Sequence, residues 1–187
     1  EYGSVPVING LTDYCHPCQV LADLMTIREY KGSLKGLKLC FVGDGNNMAN
    51  SLIVGGIKTG MKVGIACPDA YRPDAGVIAW AKENGELQIT SDVLAAAEGA
   101  DVLYTDVWAS MGQESERQIR EQAFKGFCID DKVMAVADKE AMVLHCLPVH
   151  RGEEVTEKVF EAHAQEIFDE AENRLHAQKA VLCKLLK

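Results

Sequence analysis

Three groups of polar residues stand directly after apolar runs of the sequence. The first is Gly-Asp-Gly-Asn-Asn at residues 43–47, the second begins at Asp106 and includes Ser110, and the third is His-Cys-Leu-Pro at residues 145–148. Carboxylate, hydroxyl and thiol groups can hold an ammonium ion, orient a nucleophile or accept a proton. Each group alone also has an ordinary explanation, because Asp106 can cap a helix and a buried cysteine is usually inert. Chemistry therefore depends on whether the fold brings the groups together.

The Cys-His-Pro-Cys motif at residues 15–18 suggests a redox function. A Cys-x-x-Cys pair at the start of a helix is typical of thiol–disulfide enzymes, and here a strand-like run at residues 5–8 precedes it. The alternating segments that follow do not match a thioredoxin-type domain, so a redox protein remains a minor alternative. A zinc site is less favoured still, since no second Cys-x-x-Cys or His pair completes four ligands.

The glycines at positions 43 and 45 resemble the start of a dinucleotide-binding fingerprint. The third glycine of that fingerprint is replaced by Met48, whose side chain would prevent a helix from packing closely on its strand. The acidic candidate Asp69 comes behind Pro68 instead of ending a strand. A tight turn is the simpler interpretation, and nicotinamide binding is kept as a minor alternative.

Short apolar runs alternate with helical patterns along the chain. Continuous runs such as Leu-Cys-Phe-Val are typical of parallel strands covered on both faces. The alternation predicts a Rossmann-like, doubly wound α/β fold with a mainly parallel sheet and helices on both faces. The predicted strands are Lys38–Val42, Lys62–Ala66, Leu87–Thr90, Val102–Thr105 and Met142–His145. The predicted helices between them cover residues 48–60, 74–84, 91–97 and 115–124.

Ligands of such folds bind at the carboxyl ends of the strands, so we expect one crevice to gather all three polar groups. Two further helices, at residues 17–30 and 169–186, fall outside this core. The sequence therefore divides into an interdomain segment with a linking helix (1–36), an α/β domain (37–168) and a C-terminal helix (169–187). The apolar side chains on one face of the last helix need a cover, and they are Ala171, Leu175, Leu182 and Leu186.

The composition excludes several classes of partner. The 187 residues carry a net charge of -9, and the 19 Lys and Arg residues are scattered, which argues against nucleic acid. No stretch approaches the roughly 18 consecutive apolar residues of a membrane span. Seven cysteines form an odd number without a disulfide-like spacing, which favours a reducing compartment. We therefore expect a soluble, cytoplasmic protein.

Five motifs, in one order, resemble the ornithine carbamoyltransferases of the aspartate/ornithine carbamoyltransferase family. They are His-Pro-Cys-Gln, Gly-Asp-Gly-Asn-Asn, Asp-x-Trp-x-Ser-Met-Gly, His-Cys-Leu-Pro and Phe-Asp-Glu-Ala-Glu-Asn-Arg. The resemblance extends from about residue 5 to the C-terminus and includes the ornithine-binding domain. Aspartate carbamoyltransferases look different at the Ser-Met-Gly and His-Cys-Leu-Pro positions, whereas enzymes for putrescine and acetylornithine are closer and stay open. The family's Ser-x-Arg-Thr-Arg phosphate loop has no counterpart in these residues, so we expect this chain to lack the carbamoyl-phosphate domain and to be inactive alone.

The resemblance implies transfer of a carbamoyl group from carbamoyl phosphate to the δ-amine of L-ornithine, giving citrulline and phosphate, without a metal or organic cofactor. By similarity, the residues that contact carbamoyl phosphate are His16, Gln19, Cys146, Leu147 and Arg174. Those that hold ornithine are Asn47, Asp106, Ser110 and Met111. Asp106 and Cys146 form the catalytic pair, in which Cys146 either accepts the amine's proton or orients the amine. A carboxylate beside the thiol opposes formation of a thiolate. Members of the family form trimers, and a non-catalytic amino-acid-binding fragment is the alternative.

Overall fold

The computed structural model describes residues 3–109 and 116–186, in which strands and helices alternate. The strands are β1 (Lys38–Val42), β2 (Lys62–Ala66), β3 (Leu87–Thr90), β4 (Val102–Thr105) and β5 (Met142–His145). The helices are α1 (Pro17–Lys31), α2 (Asn47–Lys58), α3 (Ala75–Asn84), α4 (Val93–Ala97), α5 (Arg117–Ala123), α6 (Asp131–Val136), α7 (Glu157–Ala162) and α8 (Ala164–Leu185). No helix in these ranges has both the length and the apolar character to cross a membrane.

The five strands form one parallel sheet in the order β3-β2-β1-β4-β5. The predicted doubly wound α/β fold is confirmed, and each predicted strand has the bounds observed. The strand order reverses direction between β1 and β4, and the loops that leave these two strands diverge there. In open α/β sheets this point is where a crevice for ligands forms.

Strands β1, β2, β4 and β5 are largely buried on both faces, which explains their apolar runs, whereas the edge strand β3 is partly exposed. Leu39 and Phe41 of β1 join a cluster on one face, with side chains from α1, α2 and α3. Cys40 and Val42 point the other way into a second cluster with Phe124. Because successive side chains of a strand alternate between faces, a strand covered on both sides must be apolar at every position.

The helix ends follow capping side chains that the periodic pattern did not resolve. Asn46 accepts the amide N–H groups of Met48 and Ala49 and starts α2, and Asp74 caps α3 in the same way. The last helix begins at Ala164, earlier than the predicted residue 169. Helices α6 and α7 were not predicted, because six residues are too few to show a helical period.

The strand-like run at residues 5–8 is not a strand, and this expectation was wrong. These residues form no ladder, and the Val7 side chain is 92% exposed. Alternating apolar residues can support a strand only where a neighbouring strand pairs with them. The Cys-x-x-Cys motif therefore lacks the strand that a thioredoxin-type context requires.

Helices α1 and α8 pack against each other through a largely polar, buried surface. Asp23 and Thr26 of α1 and Glu170 and Asn173 of α8 are buried, and Asn173 Nδ2 donates to Thr26 Oγ1 at 2.9 Å. The apolar stripe predicted on the last helix is not part of this contact with α1. Its members Ala171, Leu175, Leu182 and Leu186 are exposed, and nothing in the described ranges covers them.

Candidate active site

The polar groups that follow β1, β4 and β5 meet at one edge of the sheet. The Cys146 thiol donates to Asp106 Oδ1 at 3.1 Å, and Asn46 Nδ2 donates to Asp106 Oδ2 at 2.8 Å. Asp106 is the first residue after β4, and Cys146 the first after β5. The predicted crevice therefore forms at the reversal of the strand order.

Asn46 holds the candidate site residue Asp106, a contact that sequence reasoning missed. Its Oδ1 caps α2 while its Nδ2 holds Asp106, so one side chain couples the start of a helix to the buried carboxylate. The predicted residue Asn47 points instead to the N-terminal segment, where its Nδ2 donates to the Thr12 carbonyl at 2.8 Å. An asparagine directly before a helical pattern is typical of an N-cap, and this signal distinguishes Asn46 from Asn47.

The Cys146 side chain is half-buried and holds its proton in this arrangement. Burial raises the pKa of the thiol well above its ordinary value, and the negative charge of Asp106 raises it further. The hydrogen bond to Asp106 Oδ1 uses the same proton. The expected opposition between the carboxylate and a thiolate is therefore confirmed, and Cys146 acts as a donor before any ligand binds.

A second polar group lies between α1 and α8. Arg174 Nη1 donates to Gln19 Oε1 at 2.5 Å, so these two predicted residues are in contact. His16 precedes α1, and its backbone N–H donates to Ser51 Oγ at 2.7 Å. Its Nδ1 is buried and has no hydrogen-bond partner within the described part of the chain.

His16 connects the two polar groups electrostatically. Burial lowers the pKa of its imidazole, and the positive charge of Arg174 lowers it further, whereas a hydrogen bond to the Gly10 backbone and the charge of Asp106 act in the opposite direction. His16 therefore stands as a neutral imidazole between a cation and an anion. Such a ring can donate one hydrogen bond and accept another.

Leu147 lies in an unusual backbone conformation directly after Cys146. Its φ of 55° is in the left-handed region, which costs a residue with a side chain about 1 kcal/mol or more. The Leu147 N–H donates to His145 Nδ1 at 2.8 Å, and His145 Nε2 lies 3.2 Å from Glu154 Oε1. Among the described residues nothing donates to the Leu147 carbonyl, so this oxygen can accept a hydrogen bond from a ligand.

Ser110 and Met111, the remaining predicted residues, lie outside the described residues. A buried ion pair stands at the start of their segment: Arg120 Nη1 donates to Asp44 Oδ2 at 2.7 Å and to the Trp108 carbonyl at 3.0 Å. Sequence reasoning missed this pair, because an arginine on a short amphipathic helix usually faces solvent. Arg120 ties α5 to the loops after β1 and β4.

Gly45, the second glycine of the apparent fingerprint, allows another backbone segment to pack closely against it. A Cβ at Gly45 would lie 2.3 Å from the backbone of Arg72 and Pro73, so another chain segment occupies the space beside this glycine. Met48, in the place of the third fingerprint glycine, is buried in the core. Both observations argue against the nicotinamide alternative.

Two sets of candidate metal or redox ligands are engaged in local contacts. Ligand atoms of His150, Glu153 and Glu154 lie within 4.8 Å of one another, but Glu153 pairs with Arg117 and Glu154 accepts the His150 N–H. Both thiols of the Cys-x-x-Cys motif bond to Asn9, where the first accepts its side-chain amide and the second donates to its carbonyl. The two thiols are thus held by local contacts, whereas Glu154 Oε2 is buried without a hydrogen-bond partner among the described residues.

The chain matches two family models. Residues 35–185 match the model described as aspartate/ornithine carbamoyltransferase, Asp/Orn binding domain. Residues 1–29 match the model described as aspartate/ornithine carbamoyltransferase, carbamoyl-P binding domain.

Among curated relatives, an ornithine carbamoyltransferase of Geobacter metallireducens is 55% identical over 100% of this chain and 62% of the relative. One of Pelobacter propionicus is 54% identical over 99% of this chain and 61% of the relative. The chain thus spans about three-fifths of the length of the curated relatives it matches.

Solved structures agree with these matches. The ornithine carbamoyltransferase from Pyrococcus furiosus aligns with a TM-score of 0.90 and 51% identity over 97% of this chain and 59% of that chain. The anabolic ornithine carbamoyltransferase from Campylobacter jejuni aligns with a TM-score of 0.94 and 43% identity, over 98% of this chain and 63% of that chain. A variant of an N-acetyl-L-ornithine transcarbamylase aligns with a TM-score of 0.83 and 35% identity, over 98% of this chain and 60% of that chain. The motifs, the sheet topology and these matches together show that the chain belongs to the aspartate/ornithine carbamoyltransferase family.

Proposed function

We propose that this chain supplies the ornithine-binding half of an enzyme that transfers the carbamoyl group of carbamoyl phosphate to the δ-amine of L-ornithine, giving citrulline and phosphate. The observation that carries the proposal is the Asp106–Cys146 contact of 3.1 Å at the reversal of the strand order. Relatives named for ornithine reach 55% identity, whereas the structure named for N-acetyl-L-ornithine reaches 35%. These identities favour ornithine over its acetylated relative.

The carbamoyl end of the site consists of His16, Gln19, Leu147 and Arg174. When the amine nitrogen attacks the carbamoyl carbon, the carbonyl oxygen gathers negative charge, and the bond from this carbon to the phosphate oxygen then breaks. Arg174 and the His16 imidazole supply hydrogen-bond donors for that oxygen. The carbonyl oxygens of Gln19 and Leu147 accept hydrogen bonds from the carbamoyl NH₂ group. Cys146 lies beside this end of the site.

The amine end of the site is built on Asp106. Its buried carboxylate matches the α-ammonium group of ornithine, and Asn47 with nearby backbone N–H groups can donate to the α-carboxylate. Ser110 and Met111 complete this end by analogy with the family. Because Cys146 holds its proton in the free protein, it orients the reacting amine, and it can take the amine's proton only after the bound cation offsets the charge of Asp106.

We assign the segment 1–36 and helix α8 to the junction with a carbamoyl-phosphate-binding domain, because α1 and α8 pack together while Leu175 and Leu182 stay exposed. The 187 residues are expected to form no citrulline alone. The complete enzyme is proposed to be a homotrimer, by analogy with the family. The free cysteines favour the cytoplasm. A role in arginine biosynthesis agrees with the anabolic name of one relative.

The test is steady-state kinetics of the complete enzyme, with both substrate domains present. Asp106→Asn removes the partner of the α-ammonium group. We expect kcat/KM for ornithine to fall roughly 30-fold or more, which corresponds to about 2 kcal/mol of transition-state stabilisation. The KM for carbamoyl phosphate should change little. Asp131→Asn, at an exposed carboxylate in a surface ion pair, is the matched control. Unchanged ornithine kinetics in Asp106→Asn, or putrescine used as well as ornithine by the wild type, would contradict the proposal.

A further inference from the structure

Two carboxyl groups lie side by side in the core between α1 and α8, and the proposed mechanism does not use them. Asp23 and Glu170 are both fully buried, and Tyr104 beside them is buried as well. A buried carboxylate is costly unless it is paired or hydrogen-bonded, and no cation contacts either group within the described ranges. The distribution of donors around the two groups therefore determines which of them is charged.

Glu170 accepts hydrogen bonds on both of its oxygens. Its Oε1 receives Gln19 Nε2 at 3.1 Å and the Tyr104 hydroxyl at 2.9 Å. Its Oε2 receives the backbone N–H of His145 at 2.9 Å. These donors come from α1, β4 and β5. Burial raises the pKa of Glu170, whereas the hydrogen bonds from Asp23, the His145 backbone and Tyr104 act in the opposite direction and favour its anion.

Asp23 has a different environment. Its Oδ1 accepts the second N–H of Gln19 at 2.9 Å, but its Oδ2 is buried and receives no donor from the described residues. Burial raises the pKa of Asp23 well above its ordinary value, and the charge of Glu170 raises it further. A proton on Asp23 has an acceptor, because the Glu170 carboxyl is close enough to form a hydrogen bond with this side chain.

We propose that Asp23 keeps a proton at neutral pH, donates it to Glu170, and with Glu170 forms a positioning pair that fixes the amide of Gln19. Both N–H groups of Gln19 then point to the two carboxyls, and only its carbonyl oxygen faces Arg174 and the site. The consequence rests on the proposed function. Gln19 can accept a hydrogen bond from the carbamoyl NH₂ group but cannot donate one, so the pair sets the polarity of this part of the site.

Two isosteric variants distinguish the two carboxyls. In Asp23→Asn the amide oxygen still accepts from Gln19, and the amide nitrogen donates to Glu170 as the proton did. In Glu170→Gln the new NH₂ group replaces one of two oxygens that both accept hydrogen bonds. In either orientation of the amide, this NH₂ group therefore faces a donor. In the complete enzyme, kcat of Asp23→Asn should stay within about threefold of the wild type, and that of Glu170→Gln should fall by about 30-fold or more.

A third variant separates positioning from folding. Asp23→Leu leaves one N–H of Gln19 without a partner, so kcat should fall about tenfold or more while the KM for ornithine changes little. Recovery in Asp23→Asn is expected, because the amide restores both hydrogen bonds. If Asp23→Leu lowers kcat and also raises the KM for ornithine, and Asp23→Asn does not restore either value, the positioning role is overturned.

An infrared difference spectrum tests the proton without any activity. At neutral pH the carbonyl stretch of a protonated carboxylic acid should be present in the wild type, absent in Asp23→Asn and retained in the surface control Asp131→Asn. An unchanged band in Asp23→Asn, or Glu170→Gln kinetics equal to those of Asp23→Asn, overturns the proposal. If the complete wild-type enzyme forms citrulline but the infrared and kinetic results differ from those expected, only the positioning pair is refuted. If the complete wild-type enzyme forms no citrulline, the proposed function is refuted.

Discussion

At the scale of single residues, the site is characterised by side chains that hold protons or stay neutral. The Cys146 thiol donates to Asp106, the His16 imidazole is uncharged, and Asp23 is protonated in our proposal. Each of these states follows from burial combined with the charges of neighbouring groups. The binding of a cationic amine would change the charge next to Cys146 and leave Asp23 untouched.

The reactivity of Cys146 should respond to its neighbour. In Asp106→Asn the negative charge is gone, so the pKa of the thiol falls, although burial still holds it above its ordinary value. A larger thiolate fraction should make alkylation by iodoacetamide faster at any fixed pH below that pKa. Peptide mapping by mass spectrometry would follow Cys146, with the exposed Cys183 as internal control. A slower or unchanged reaction would refute this account of the thiol.

The pH dependence of stability should report the proton on Asp23. Above the ordinary pKa of 3.8 the unfolded chain has released this proton while the folded chain keeps it. The contribution of Asp23 is thus fully present below that value, and it is lost as pH rises towards the raised pKa of the folded state. The loss amounts to at most about 1.4 kcal/mol per pH unit.

Asp23→Asn has no such proton to lose. Its free energy of unfolding in urea, relative to the wild type, should therefore increase from about pH 5 to about pH 8. Asp131→Asn, at an exposed carboxylate, should follow the wild type over the same range. Parallel pH curves for Asp23→Asn and the wild type would show that Asp23 is ionised in the folded protein.

At the scale of elements, one buried ion pair holds α5 against the sheet. The Arg120 side chain is 8% exposed, and it bonds to Asp44 after β1 and to the Trp108 carbonyl after β4. Arg117, one turn earlier on the same helix, makes its two ion pairs at the surface. The two arginines therefore form a natural comparison.

Removing each arginine should have a very different effect on stability. Arg120→Leu leaves the Asp44 carboxylate buried without a partner, so the free energy of unfolding should fall by about 3 kcal/mol. Arg117→Leu removes exposed pairs and should cost less than about 1 kcal/mol. Urea unfolding of both variants and of Asp44→Asn/Arg120→Leu is the measurement, and the double variant should recover part of the loss. Equal effects of the two single variants would show that the buried pair contributes nothing special.

At the scale of the whole molecule, the outer faces of α1 and α8 carry exposed apolar side chains. Leu21 on α1 and Leu175 and Leu182 on α8 are between 44% and 68% exposed. Between the two helices lies an open groove of about 320 Å³, which includes Leu24 and Val181. Contiguous exposed apolar surface usually marks an interaction site.

The 187-residue chain on its own should therefore bind a hydrophobic dye and self-associate as its concentration rises. Leu175→Gln/Leu182→Gln should reduce both effects without lowering the free energy of unfolding, since neither side chain is buried. Sedimentation velocity and dye fluorescence provide the measurements, with Leu94→Gln, on another face, as control. A dye-free monomer at every concentration would contradict this prediction.

The sequence by itself determined the sheet and the edge at which the site forms. Strands buried on both faces are largely apolar, so short apolar runs such as the one in Lys38–Val42, bounded by turn residues, indicated the strands that the structure contains. Parallel strands place their carboxyl ends together, which brought Asp106 and Cys146 to one crevice. Residues 5–8 show the limit of the pattern, because a strand also needs a partner.

Only the tertiary structure decided which polar side chains are partners. Gln19 and Glu170 are 151 positions apart, Asp44 and Arg120 are 76 apart, and Asn46 and Asp106 are 60 apart. Periodicity reports that a position is buried, but it contains no information on which distant donor will face a buried carboxyl. The protonation of Asp23, the anchoring of α5 and the orientation of Gln19 all follow from such contacts, since burial makes a charge depend on its immediate neighbours.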